Sequence, residues 1–217
     1  PQRTLADPYY EVRSQPVLPA GSLPDVFTLG GLARRLVDLF WPMLARNAGF
    51  AHPDRPPVFL NVETAQYYMS RIVGPLREQE QYFQSVTIDA NRLYRQILSN
   101  LNSAAGIGIP VEQIGERLIS AWQGKPEQIR IYQDAEECAL LFRRYCLEHN
   151  LVDFSLVLEI FCKHLWPSLL GRQYLRGRYR HLIYDNVEED IPVAHDVVRE
   201  WLPDFDSALL ISDLQAG

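Results

Sequence analysis

Cysteine is scarce in this chain. Its 217 residues include three, Cys138, Cys146 and Cys162. An odd set without a Cys-x-x-Cys pair excludes a disulfide framework and a cysteine-built zinc site, so a reducing, cytoplasmic setting is expected. Cys138 and Cys146 are spaced to share one helix face, where they act as small core groups rather than as reagents. Long apolar runs are also missing. The longest, Val26 to Leu29 and Ala208 to Ile211, fall far short of the roughly 20 residues of a membrane span, and no membrane partner is expected. No basic leader precedes an apolar signal segment, and the chain opens at Pro1 rather than Met, as expected of a piece excised or processed from a longer protein. Net positive charge is lacking too: a formal charge of −6 excludes a dedicated nucleic-acid module that binds through its overall field. Finally, no Gly-x-x-x-x-Gly-Lys-Ser/Thr phosphate loop occurs anywhere in the sequence.

What is present is enough apolar material for a real core, 47% of residues. Residues 1–24 carry Pro1, Pro8, Pro16, Pro19 and Pro24 without sustained periodicity and read as an irregular lead-in. Val26-Phe27-Thr28-Leu29 is β-prone and is closed by Gly30-Gly31, which predicts a strand, a tight turn and a helix from Leu32. Pro42 should kink or end that helix, and residues 52–57, with three prolines, should be loop. From there to about residue 178 the period is helical. Stripes appear at Tyr94, Ile97, Leu98 and Leu101; at Val111, Ile114, Leu118 and Trp122; at Ile131, Ala135, Cys138, Phe142 and Tyr145; and at Phe154, Val157, Leu158, Phe161 and Leu165, the last closed by Pro167. They predict helical core. Asp153, just before an apolar run, is placed to cap a helix. Arg172, Arg176, Arg178, Arg180 and His181 form a basic cluster that either faces phosphates or is a solvated face.

The pattern changes at Tyr179. Leu182-Ile183-Tyr184 reads as a strand ending in Asp185, Val193 to Trp201 as a helix, and Ala208 to Ile211 as a second strand running into Ser212-Asp213. A β-α-β crossover makes the strands parallel and brings both aspartates to one carboxyl edge, where open α/β sheets bind ligands. A nucleotide hydrolase needs that arrangement, with one carboxylate for hydrated magnesium and a second polar group near the terminal phosphate. A strand also ends in Asp merely because the following turn accepts it.

Four segments carry a family resemblance. Tyr179 to Asp190, with Leu182-Ile183-Tyr184-Asp185-Asn186-Val187-Glu188-Glu189-Asp190 at its centre, resembles the magnesium motif of superfamily I, UvrD/Rep-like DNA helicases, an apolar strand into Asp-Glu-x-Gln-Asp. Leu209-Leu210-Ile211-Ser212-Asp213-Leu214-Gln215 resembles the next motif, a strand into Gly-Asp-x-x-Gln. Leu151-Val152-Asp153-Phe154-Ser155-Leu156-Val157-Leu158 resembles the family's Leu-x-Asp-Phe-x-x-Leu element. Phe27 to Leu36 is similar to its DNA-contacting Thr-Phe-His-x-Leu-Ala segment. All four stand in the family's order and together span residues 26–217.

The resemblance implies a mainly α fold with a small parallel α/β part, a helical insertion packed on a partial P-loop NTPase (RecA-like) sheet. Residues 31–178 would be the helical subdomain called 1B, and residues 25–30 and 179–217 part of the ATPase domain 1A. It further implies Mg-ATP in the intact protein, with Asp185 on magnesium, Asp213 and Gln215 at the nucleotide, and Thr28 and Gly30 at single-stranded DNA. The expected activity is that of an ATP-dependent helicase or translocase in DNA repair or recombination, with this piece alone not catalytic. Departures matter as well. Asn186 stands where the family has the glutamate that polarises the attacking water, and an amide accepts no proton at neutral pH, so about 10²- to 10⁴-fold of rate would be missing unless Glu188 or Glu189 substitutes. Gly30 replaces a histidine, and Ser212 a glycine, with one residue fewer before Gln215. A rival expectation follows: a helicase-derived scaffold that has lost catalysis and binds DNA or a protein, like the inactive subunit of a helicase-nuclease pair.

Overall fold

The computed structural model describes residues 24–213. The lead-in, apart from Pro24, and Gln215 lie outside the described residues. Within them the chain is mainly helical, with two small parallel strand pairs, and no helix is long and apolar enough to cross a membrane.

Residues 24–28 belong to no strand, and the predicted strand at Val26 to Leu29 does not form. Helix α1 starts earlier than expected and runs Leu29–Leu39, with the Thr28 hydroxyl accepting from Gly31 N at 3.0 Å. A threonine able to cap, followed by glycines that fit a first helical turn, outweighs the β preference of three flanking side chains. Gly30-Gly31 is therefore helix, not turn. The expected break at Pro42 is present: α1 ends before Phe40, and α2 (Trp41–Asn47) carries Pro42 in its first turn, where a missing N–H costs nothing. Strand β1 (Val58–Phe59) follows the proline-rich loop and pairs in parallel with β2 (Leu151–Val152), a contact the sequence pattern did not reveal.

Between these strands run α3 (Val62–Gln79), α4 (Ala90–Gly106), α5 (Ile114–Ala121) and α6 (Glu127–Glu148), with side-chain caps at Asn61 and Asp89 for the first two. After β2 come α7 (Phe154–Ile160), a π-helical turn over Phe161–Leu165, and α8 (Leu169–Arg178) capped by Ser168. The core gathers the predicted stripes: Tyr94, Ile97, Leu98 and Leu101 of α4 lie with Phe142 of α6 and Leu158 of α7, all buried. Trp122 and Phe154 are exceptions, each more than a third exposed. Cys138 and Cys146 are fully buried, as expected. Burial is also the main reason the Cys138 thiol is pushed up to about 12.

The final unit is the predicted crossover: β3 (His181–Tyr184), α9 (Pro192–Trp201) and β4 (Ser207–Leu210), with β3 and β4 parallel and His181 opposite Ser207. Val193, Val197 and Trp201 of α9 enter the common core, so this unit is seated on the helices rather than tethered beside them.

Candidate functional site

The carboxyl edge of β3 and β4 is built from backbone first. Pairing continues beyond the strands: Ile211 N donates to Tyr184 O at 2.8 Å and Val187 N to Ile211 O at 3.1 Å. The segments after both strands therefore stay adjacent, with Asp185 and Asp213 leaving from the same edge. Because side chains alternate along a strand, His181 and Ile183 share a face with Ser207 and Leu209, their partners in register.

Asn186 adopts a left-handed backbone, φ +51°, which opens a single 3₁₀ turn over Val187–Glu189. Asparagine tolerates this region better than glutamate does. Glu188 and Glu189 are exposed on that turn. The turn is fastened at its far end, where Tyr184 Oη donates to Asp190 Oδ2 at 2.9 Å and Asp190 Oδ1 accepts from Ile191 N at 2.8 Å. Burial first, then the neighbouring Asp190 carboxylate, raises the Tyr184 phenol well above its ordinary range. His195 Nε2 lies 2.7 Å from Val187 O. Asp190 is thus spent on holding the turn, and Asp185 is the carboxylate left at the strand end. Among the described residues no group of three or more histidine, cysteine or acidic side chains is poised to hold a metal ion. One carboxylate suits magnesium that arrives with a nucleotide, since that ion takes most of its ligands from phosphates and water.

Both strands expose large apolar side chains. Ile183 is 60% and Leu209 54% exposed, on the same face by register, with Leu210 and Ile211 exposed beside them. Parallel strands ordinarily have both faces covered; here all four residues of β4 are exposed, so neither of its faces is.

The basic cluster resolves into ion pairs. Arg172 meets Glu200 at 2.7 Å, Arg176 meets Asp204, Arg178 meets Asp25 at 3.3 Å and Arg180 Nε meets Asp206 at 2.7 Å. These arginines fasten α8 and the start of β3 to α9, to the turn before β4 and to the entry into α1, which is the solvated-face reading rather than a free phosphate face. The guanidinium carbon of Arg172 also lies over the Trp166 ring, 3.8 Å from its centroid.

Asp153 is the cap the sequence predicts, and more. Its carboxylate, 3% exposed, accepts from Ser155 N and Leu156 N, each at 3.2 Å, and from Ser155 Oγ at 2.6 Å. It also faces Arg143 Nη1 at 3.4 Å, while Arg143 Nη2 reaches Glu159 at 3.3 Å. Asp153 joins α6 to α7 and is structural. The buried arginine partner was not foreseen; its spacing from Asp153 has no helical or strand period to betray it.

At the other candidate segment, Thr28 is exposed but its hydroxyl is engaged as the α1 cap. Gly30 lies against Phe154, where an added β-carbon would come within 2.7 Å of the ring. The structure thus brings Asp185, Asn186, Glu188, Glu189 and Asp213 to one edge, and Thr28 and Gly30 to a separate place beside α7. Compared with protein-family models and with curated proteins, the chain matches none.

Proposed function

We propose that this chain is the helical insertion, with adjoining strands, of the first ATPase domain of a UvrD/Rep-like DNA helicase or translocase acting in DNA repair or recombination. The observation that carries the reading is the parallel β3-α9-β4 crossover, whose pairing runs on to Ile211 so that Asp185 and Asp213 leave one edge. The uncovered apolar residues Ile183 and Leu209 support it further, because a larger parallel sheet with a second helical layer would bury them.

On this reading Asp185 holds magnesium, which brings charge neutralisation to the phosphates of ATP. Asp213 and Gln215 stand toward the nucleotide, and Thr28 and Gly30 lie along the path of single-stranded DNA. The chain alone supplies no phosphate loop, so ATP hydrolysis is not expected of it by itself.

A second reading is favoured by Asn186. Its left-handed backbone suits the residue to a turn, and its amide cannot serve as a base. The protein then keeps the helicase architecture as a scaffold that binds DNA or a partner subunit such as a nuclease. Titrating the intact protein with a fluorescent ATP analogue separates the two. Binding strengthened by single-stranded DNA is expected of the motor; absence of binding removes the motor and leaves the scaffold.

A further inference from the structure

Where the crossover is seated on the helices, the end of α4, α7 and the first turn of α9 do not close completely on one another. They leave a crevice of about 80 Å³ walled by Leu101 and Ala105 of α4, Leu158 of α7 and Val193 of α9. Cys162 and Lys163 line it from the π-helical turn, a backbone form frequent at functional sites. Arg143 of α6, only 9% exposed, lines it as well.

The polar groups at this place are matched, with one exception. Arg143 Nη1 meets Asp153, its Nη2 meets Glu159 and the Ser155 hydroxyl, and Lys163 meets Glu159 at 2.7 Å. Two cations stand against two carboxylates, so no net charge remains to attract an ion of either sign. The exception is the Nε–H of Arg143, which is buried and finds no acceptor among the described residues. A buried donor without an acceptor costs free energy, so a group that brings one is favoured there. Water meets this need poorly. About 15 Å³ is enough for one water, so the crevice has room for several, and each would need two or more polar partners along walls that are mainly hydrocarbon. A compact apolar body carrying one acceptor oxygen suits both the donor and the walls.

We propose that this crevice binds a small, neutral, largely apolar molecule with a single acceptor oxygen, such as an alcohol, ketone or tertiary amide. Its oxygen accepts from Arg143 Nε while its hydrocarbon packs on Leu101, Leu158 and Val193. The site is separate from the strand edge and independent of the helicase reading. Its occupant touches α9 shortly after Asp190, the residue that fastens the turn following β3, so binding clamps the crossover to α4 and α7.

The test uses the 217-residue chain with sec-butanol as probe. The control is sec-butylammonium, the same skeleton with a charged donor in place of the oxygen. Two readouts report from the crevice: the Arg143 Nε–H signal in proton–nitrogen correlation NMR, and alkylation of Cys162, the one cysteine of the three that is not fully buried. The signal should shift saturably with sec-butanol, in the millimolar range that so few atoms allow. Alkylation should slow about tenfold at about nine times the dissociation constant, because only the unoccupied fraction reacts. Neither response is expected with sec-butylammonium. Ala105→Leu, which puts hydrocarbon into the crevice, should abolish both responses to sec-butanol, with circular dichroism checking the fold. If that variant does not fold, the saturable shift and the ammonium control decide alone. A cosolvent effect only, seen as a shift that never saturates, equal protection by both probes or an undiminished response in folded Ala105→Leu, overturns the site. So does a signal and a labelling rate that sec-butanol leaves unchanged.

Discussion

At the scale of single residues, the Arg143-Asp153 pair is the place where one substitution does most harm. Asp153 satisfies two backbone N–H groups, a hydroxyl and a buried guanidinium at once. Removing one partner of a buried pair costs more than the pair contributes, because the other charge is left without water or counter-charge. Asp153→Ala should cost about 3 kcal/mol or more, from the stranded arginine plus the lost cap, read as a lowered urea midpoint at unchanged slope. Asp153→Asn keeps an acceptor for the cap and should cost less. The capping role was legible from an acid placed before an apolar run. The arginine was not, since nothing in a one-dimensional pattern pairs a residue inside one helix with the first cap of another. Asn186 is the opposite case: its identity was read as a lost catalyst, and the backbone gives it an independent reason to be there.

At the scale of elements, periodicity was a good guide wherever a helix is long and one-sided. Tyr94, Ile97, Leu98 and Leu101 are all buried in α4, and Cys138, Phe142 and Cys146 in α6. It failed where an element is shorter than its own period. Val58–Phe59 and Leu151–Val152 pair across a long stretch of the chain with two residues apiece, too few to alternate visibly. It also failed at Val26 to Leu29, where side-chain preference lost to a cap. Burial of the cysteines gives α6 and the π-helical turn a pH signature. Cys138 is raised to about 12 and Cys162 to about 11, from an ordinary value of 9.0, with desolvation the largest cause. In the unfolded chain these thiols ionise first, so the native state holds more protons above about pH 9. Stability is then complete below pH 9 and falls as pH rises toward the folded values. Urea midpoints should decline over that window, and Cys138→Ala should flatten the decline.

At the scale of the whole molecule, the two ends of the described chain are stitched to its middle. Asp25 takes Arg35 and Arg178, and Trp166, Tyr179, Trp201 and Phe205 form a run of ring contacts linking the end of α7 to the crossover. Such exposed ion pairs add little each, so the joint depends mainly on the aromatic run and on Val193 and Val197. The outer face of β3 and β4 contributes almost nothing to this joint. The double variant Ile183→Ser with Leu209→Ser should therefore leave the unfolding free energy of the isolated chain within about 0.5 kcal/mol of the parent, checked by calorimetry. A large loss would mean that the face is already covered. The crossover and its edge carry two of the four segments of the family resemblance, and the order of apolar runs and acids made this unit legible. The pairing of every arginine from 172 to 180 was not, because its partners come from segments folded back from elsewhere.

The π-helical turn at Phe161–Leu165 carries one residue more than an ordinary helix would need to reach Trp166. Deleting a single residue there, and letting the helix relax to its regular pitch, would rotate all that follows by about 100°. Arg172 and Arg176 would then sweep away from Glu200 and Asp204, and Trp166 out of its nest. One surplus amino acid thus sets the azimuth at which α8 and the crossover dock, and an insertion or deletion in this stretch is a change of architecture, not of length.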